Sequence, residues 1–334
     1  MRAIQLDAPS LDALKTVDLP EPTSRPSEAL LKLHAASLNF IDIAVATGGL
    51  PVPRFPIIPV ADGAGEIVEI GVNDLGLKAG DKVIPHFMSN WQGGSIAPQK
   101  VAAMRGVTSV GSLAEFVAVP VSSLVRLPTH LDFTQGSTLP IVATTAWNAL
   151  QTGRIGPGSV VALLGTGGLS IMTLQLAKAA GATVVIMSSS EEKLARAATL
   201  GADHLVNYKV SPEWDAKVLE VTDGHGADLV LDTVGQATFA RSLKAAAFGG
   251  TVFTVGFLTG TAPSINLLDI VVKALNVVGN NTGSTDNLAA AARAIESHRI
   301  VPVISETYAF NDAAAAYARL AAQGQHFGKI AIQH

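Results

Sequence analysis

The stretch from Val160 to Lys178, VVALLGTGGLSIMTLQLAK, constrains the fold more than any other part of this chain. Five residues of buried-strand type, Val160 to Leu164, run directly into Gly165, Thr166, Gly167 and Gly168, and an apolar, helix-forming stretch begins at Leu169. A strand, a Gly-rich turn and a helix in that order build a dinucleotide site. The glycines permit the tight turn and let the backbone approach a pyrophosphate, and the helix N-terminus offers free N–H groups at a positive dipole end. Gly165, Thr166, Gly167, Gly168 and Leu169 are therefore candidate phosphate-binding residues. Read as Gly165-x-Gly167-x-x-Ser170, the motif has serine where a third glycine is usual. That position serves close helix–strand packing, for which serine is small enough. The alternative is a Gly-rich turn in an α/β domain that binds nothing.

At 334 residues the chain is long enough for two domains and a sizeable core. A 48% hydrophobic and 15% charged composition fits a compact enzyme-like globule and argues against disorder. Net charge is −4 and no basic block occurs, which speaks against nucleic acid or an anionic membrane as partner. MRAIQLDAPS at the start lacks a signal-peptide core, and the apolar runs are broken before they could span a bilayer, so the expected location is cytoplasmic. There is no cysteine, which excludes disulfides, thiol nucleophiles and Cys-ligated zinc.

Up to about Leu127, short strand-like runs such as 29–34, 65–70, 81–85 and 114–119 alternate with turns, which predicts an irregular β domain. Residues 90–111 show no period and read as a long loop or lobe. From about Pro128 the pattern changes. Residues 133–152 look helical, and strands at 160–164, 183–187, 204–206, 229–231, 251–255 and 276–278 then alternate with helices. This predicts an α/β fold with a doubly wound parallel sheet and right-handed crossovers. A helix near 287–297, another at 313–322 and a strand at 328–332 complete the chain.

Several motifs in a fixed order carry a family resemblance: LNFID at 38–42, DGAGEIVEIG at 62–71, LKAGDKV at 77–83, TTAWNAL at 144–150, LLGTGGLS at 163–170, EKLARAATLGADHLVNY at 192–208, LVLDTVG at 229–235 and FGKIAI at 327–332. Together they resemble the medium-chain dehydrogenase/reductase superfamily over nearly the whole chain. The resemblance implies a GroES-like β-rich catalytic domain over 1–127, a Rossmann dinucleotide-binding domain over 128–284 and a C-terminal return over 285–334 that completes the first. Within the superfamily the chain looks like the zinc-free quinone oxidoreductase and enone reductase branch. Zinc alcohol dehydrogenases carry Cys where this chain has Asn39 and His where it has Ala61, so no zinc is expected; a His/Asp/Glu site is chemically possible, but the eight histidines are scattered without ligand spacing and no metal ligand is assigned.

Without a Lewis acid, the easier task is hydride delivery to an acceptor that already delocalises charge, such as a quinone or an α,β-unsaturated carbonyl. The resemblance puts Asn39 by the nicotinamide ribose and the reacting centre; the alternative is a turn-forming Asn. Asp42 either shares that pocket or starts a helix. Thr144 and Trp147 stand on the TTAWNAL helix, which borders the nicotinamide in relatives, with core packing as the alternative for Trp147. Phe87 and Trp91 follow a strand end and are candidates to shape an apolar substrate pocket. His86 is a candidate proton donor or a structural His.

Cofactor choice is read after the second strand of the parallel sheet, where NAD enzymes usually place an acidic residue. Here Ser188, Ser189 and Ser190 follow Met187, and Glu191 and Glu192 come later. The hydroxyls and Lys193 suit a 2′-phosphate, and the resemblance adds Tyr208, so NADPH is expected over NADH. Arg196 is a further candidate. Thr233, Val234, Gly256, Phe257 and Asn280 follow strand ends, and the resemblance implies that these loops line the nicotinamide half, with a turn role as the alternative for Asn280. Phe327 and Lys329 in the C-terminal return are candidates to close the cleft, with core packing the stronger alternative for Phe327, and the resemblance implies a homodimer joined through edge strands, here at 276–279. The expected partner is a small electrophilic molecule. The competing functions are a zinc-free alcohol or aldehyde oxidoreductase and a non-catalytic NADPH-binding redox sensor.

Overall fold

The structure, a computed structural model, describes residues 1–322 and 324–334. It divides into two compact units, Met1–Thr144 with Gly283–His334, and Thr145–Thr282. The expected boundaries lay at 127 and 284; the structure draws the first of them inside a helix, at Thr144.

In chain order the first unit begins with β1 (Arg2–Leu6), β2 (Leu14–Asp18), β3 (Glu28–Leu38), α1 (Phe40–Ala46), β4 (Asp62–Ile70), β5 (Lys82–Pro85), β6 (Phe116–Pro120), β7 (Leu124–Arg126), α2 (Phe133–Ser137) and the start of α3 (Leu139–Thr152). The second unit comes next, with β8 (Val160–Leu164), α4 (Gly168–Ala179), β9 (Thr183–Ser188), α5 (Glu191–Thr199), β10 (His204–Asn207), α6 (Trp214–Val221), β11 (Ala227–Asp232), α7 (Phe239–Ala245), β12 (Ala246–Thr254), α8 (Leu267–Val271) and β13 (Asn276–Gly279). The chain then returns to the first unit with α9 (Thr285–Ser297), β14 (Ile304–Ala309), α10 (Ala313–Ala321) and β15 (Lys329–Gln333).

The long strand β3 organises the first unit. It pairs antiparallel with β4, β6 and β15, in a sheet of order β14-β15-β3-β4-β5-β7. Two registers position the polar residues at its end. Leu38 at the end of β3 faces Ile330 of β15, and Ser37 faces Asp62 at the start of β4. The C-terminal return thus enters the sheet as a central strand, which brings residue 329 to the end of β3. Leu38, Ile43, Val60, Phe87, Trp91, Phe310, Tyr317 and Ile330 share one buried apolar cluster beneath this end of the sheet.

The second unit is a six-stranded parallel sheet of order β10-β9-β8-β11-β12-β13. Its central strand β8, VVALL, is buried along its whole length because helices cover both faces, so the sequence is a continuous apolar run rather than an alternation. The strand order reverses between β8 and β11, and a ligand crevice is expected outside the carboxyl ends of such strands. No helix among the described residues is long and apolar enough to cross a membrane.

Candidate active site

Each unit carries its own group of candidate residues. In the second, Gly165 lies at φ +80°, a backbone that L side chains rarely adopt, and donates its N–H to Met187 O at 2.9 Å. Gly167 is the N-cap of α4. No side chain caps this helix and no acidic residue occupies its first turn, so the exposed N–H groups remain suited to an anion. Ser170 is buried and donates its hydroxyl to Leu164 O at 2.8 Å. The serine that replaces the usual third glycine therefore ties the helix start to the strand it must pack against. Thr166 is buried, while Gly168 and Leu169 are partly open.

The neighbouring loops are pinned at the same strand ends. Thr233 donates its hydroxyl to the same Leu164 O at 2.8 Å. The fully buried Asp232 accepts the backbone N–H groups of Val234 and Gly235 at 3.0 and 2.9 Å, and the hydroxyls of Thr238 and Ser242. Gly256 passes so close to Thr233 that a Cβ there would lie 1.8 Å from the Thr233 carbonyl oxygen. Phe257 stands beyond it, 42% exposed. The side-chain amides of Asn280 and Asn148 meet at 2.9 Å, so Asn280 is engaged within its own unit. Trp147 is half-buried.

At the other end of this crevice, Tyr208 donates its backbone N–H to Ser188 O at 3.1 Å because β10 pairs with β9 up to Asn207 and Ser188. Ser188 is buried, Ser189 half-buried and Tyr208 exposed. Ser190 caps α5 by accepting the Lys193 N–H at 3.3 Å, which puts Lys193 in the first turn. Of the two carboxylates there, Glu191 accepts from Asn207 Nδ2 at 2.5 Å. Ser188 and Tyr208 thus lie at the adjacent ends of β9 and β10, and Lys193 in the first turn of the helix that follows β9. A tight turn, open helix N–H groups and this donor set fit a dinucleotide.

In the first unit the structure joins Asn39 and Asp42 to two residues with other expected roles or none, Lys329 and Asp62. Asn39 directly follows β3 and starts α1. Its backbone N–H donates to Asp42 Oδ2 at 2.7 Å, while Asp42 Oδ1 accepts the Ala61 N–H at 3.0 Å. Its side-chain Nδ2 donates to Asp62 Oδ2 at 2.8 Å, and its Oδ1 accepts from Lys329 Nζ at 2.7 Å. Lys329 Nζ also donates to Leu38 O at 2.8 Å and to Asp62 Oδ2 at 3.2 Å. Asp62 Oδ1 accepts the Ile141 N–H at 3.0 Å. Asp42, Asp62 and Lys329 are buried, and Asn39 alone remains partly open.

Burial raises Asp42 to about 7, opposed by its two backbone hydrogen bonds. Burial likewise pushes Asp62 up and Lys329 down, and their ion pair opposes both. Asp62 faces only donors and Lys329 only oxygen acceptors, so the pair is ionised. The buried Arg105 adds a second cation nearby. Its Nη2 donates to Ser112 Oγ at 2.8 Å, and burial lowers it to about 10. Sequence reading missed Asp62 and Arg105, and gave Lys329 only the closing of a cleft. At Asp62 and Lys329 the available signal was a charged residue opening an apolar strand; Arg105 lies outside the strands and carried no such signal.

Other expected residues lie elsewhere in this unit. Thr144 is buried and donates its hydroxyl to Pro140 O at 2.6 Å, which commits its proton to its own helix. Phe87 and Trp91 belong to the apolar core, 1% and 8% exposed, and the Trp91 indole donates to Gly94 O at 2.9 Å. His86 is also buried. Its Nδ1 lies 3.0 Å from Met88 O and 3.2 Å from Met88 N, and burial lowers its pKa to about 4. The ring is therefore neutral near pH 7 and carries no acidic proton for a donor role. The folded state resists protonation below pH 6.5 while the unfolded chain accepts it, so stability present above 6.5 is lost as pH falls toward 4. His86 is expected to contribute about 3 kcal/mol to this loss. Urea unfolding of the protein and of His86→Gln at pH 7.5 and 4.5 reads the difference; equal losses in both would refute it.

A zinc site does not fit these residues. The chain has no cysteine, and among the described residues no group of three His, Cys, Asp or Glu converges as ligands. The oxygens of Asn39 and Asp62 that could face a cation already face the Lys329 ammonium.

Known proteins share both units. Residues 25–129 match the alcohol dehydrogenase GroES-like domain, and residues 168–297 match the zinc-binding dehydrogenase family model. A zinc-type alcohol dehydrogenase-like protein of Schizosaccharomyces pombe is 35% identical over 96% of this chain and 95% of its own. The acryloyl-coenzyme A reductase of Sulfurisphaera tokodaii is 27% identical over 100% of both chains. Among solved structures, the quinone oxidoreductase of Pseudomonas syringae pv. tomato superposes with a TM-score of 0.83 at 28% identity, covering 100% of this chain and 99% of that one.

Proposed function

The chain belongs to the medium-chain dehydrogenase/reductase superfamily of oxidoreductases, and within it we propose a zinc-independent, NADPH-dependent reductase that delivers hydride to a quinone or an α,β-unsaturated carbonyl. The observation that carries this reading is the Asn39–Asp62–Lys329 constellation, in which the cation is an internal ammonium and the one partly open polar group is an amide donor.

The bound nicotinamide supplies the hydride. The protein's own contributions are binding, orientation and hydrogen bonding. The turn at Gly165 to Gly168 and the open start of α4 hold the pyrophosphate. Ser188, Ser189, Lys193 and Tyr208 suit the 2′-phosphate. Asn39 Nδ2 spends one N–H on Asp62 and keeps the other for an oxygen that gains charge. An acceptor that delocalises the arriving charge matches a site with one neutral donor and no metal.

The test is oxidation of NADPH and NADH, followed by absorbance in parallel, against quinones, enones, enoyl thioesters and aldehydes. NADPH-selective turnover of quinones or activated alkenes is the expected result. Equal use of NADH would remove the 2′-phosphate assignment. Turnover confined to aldehydes and alcohols would favour the alcohol dehydrogenase reading, and NADPH binding without turnover on any acceptor would favour a sensor.

A further inference from the structure

We propose that Lys329 is a positioning residue that sets the polarity of Asn39, holding its side-chain amide so that an N–H, and never the carbonyl, is the group left available. The proposal rests on the reading that Asn39 serves the reaction.

An asparagine amide is nearly symmetrical in shape, and a rotation of 180° exchanges a donor for an acceptor. At Asn39 both ends meet partners that accept one orientation only. Lys329 Nζ, a pure donor, lies 2.7 Å from Oδ1, and the Asp62 carboxylate, a pure acceptor, lies 2.8 Å from Nδ2. Rotated, the amide would set N–H against ammonium and C=O against carboxylate, losing two charge-assisted hydrogen bonds and gaining two repulsions. The backbone N–H of the same residue is held by Asp42, so the whole residue is clamped.

The ammonium itself is closed. Its three donors are taken by Leu38 O, Asn39 Oδ1 and Asp62 Oδ2, and the residue is 5% exposed. It therefore acts through Asn39 and does not give its proton to a substrate. Topology explains why the lysine is here: β15 is inserted beside β3 with Ile330 opposite Leu38, so the first residue of β15 meets the residue that follows β3. The pair with Asp62 is not needed for stability as such, since a buried ion pair replaced whole by apolar residues is often neutral. Its use is directional.

The experiment compares the full-length protein with Asn39→Ala, Lys329→Met and the combined variant, measuring kcat and KM with NADPH and an acceptor that the protein turns over. Asp62→Asn combined with Lys329→Met provides a version in which no carboxylate is stranded, should Lys329→Met fold poorly. Lys329→Met is expected to lower kcat roughly 100-fold, the size seen when one oxyanion donor is lost, with KM for NADPH changed by less than about threefold. Adding Asn39→Ala to it should cost nothing further, because both remove the same oriented donor. In Lys329→Ala, methylammonium should restore part of kcat. In the cofactor-free 15N-labelled protein, the Asn39 side-chain N–H protons should exchange at least tenfold faster with solvent once Lys329 is replaced.

Wild-type kcat in Lys329→Met would overturn the proposal. So would independent, multiplying losses from the two substitutions, which would leave the role of Asn39 standing. Unchanged kcat in Asn39→Ala would overturn the reading of Asn39 and this proposal together.

Discussion

Replacing Asp62 with alanine is expected to destabilise the protein by roughly 3–5 kcal/mol, because it leaves the Lys329 ammonium buried without its counter-ion. Asp62 is 0% exposed. The remaining hydrogen-bond partners of the ammonium, Leu38 O and Asn39 Oδ1, are neutral, and the nearby Asp42 carboxyl, raised by burial to about 7, offsets the charge only in part. Urea unfolding monitored by fluorescence measures the loss, and a value below about 1 kcal/mol would mean that water reaches the ammonium freely. Asp62→Leu together with Lys329→Met should recover part of the deficit, since a buried ion pair replaced by apolar residues is often neutral in stability. The Ile141 N–H would still lack its acceptor, at about 1–3 kcal/mol. A double variant that is stable but nearly inactive is the signature of a pair retained for its effect on Asn39.

The second large effect belongs to the other unit. Gly256→Ala is expected to cost about 3 kcal/mol, the upper part of the usual range for overpacking. The new Cβ would lie 1.8 Å from the Thr233 carbonyl oxygen and 2.1 Å from its carbon, so backbone and not a flexible side-chain tip must move. The Thr233 hydroxyl bond to Leu164 O lies in the path of that movement. Affinity for NADPH should fall at least about tenfold, equivalent to 1.4 kcal/mol. Fluorescence titration with NADPH and a thermal melt check both effects. Wild-type values in each would show that the two loops can part without cost.

The second unit was largely legible in the sequence because its signals are local. The strand expected at 160–164 is β8 without adjustment, and Gly165 sits where the turn needs a positive φ. The alternation of strands and helices follows from short-range periodicity, and parallel connection through helices leaves few topologies. The first unit was less legible. The strands β1, β2 and β14 were not marked, and α1 entered only as an alternative reading of Asp42, since half-buried edge strands and two-turn helices carry little period. Phe87 and Trp91 illustrate another limit: an aromatic side chain after a strand suits a core as well as a pocket, and only packing decides, here for the core.

Asn39 and Asp42 could be singled out because they fall within five residues of one motif. Their partners could not. Lys329 is 290 positions from Asn39, and Asp62 is 23. Nothing in either neighbourhood states that the end of the chain enters the sheet next to β3.

By itself, then, the sequence determined the class of fold, the Gly-rich turn that opens α4 and the absence of any cysteine thiol. Each of these follows from backbone permissiveness, local hydrophobic period or composition. Tertiary structure alone decided which charges meet. Strand pairing brought Lys329, Asp62 and Asn39 to the end of one strand, and burial there made their hydrogen bonds exclusive. The result is an amide of fixed polarity, a property that depends on three side chains at once and is contained in none of their local segments.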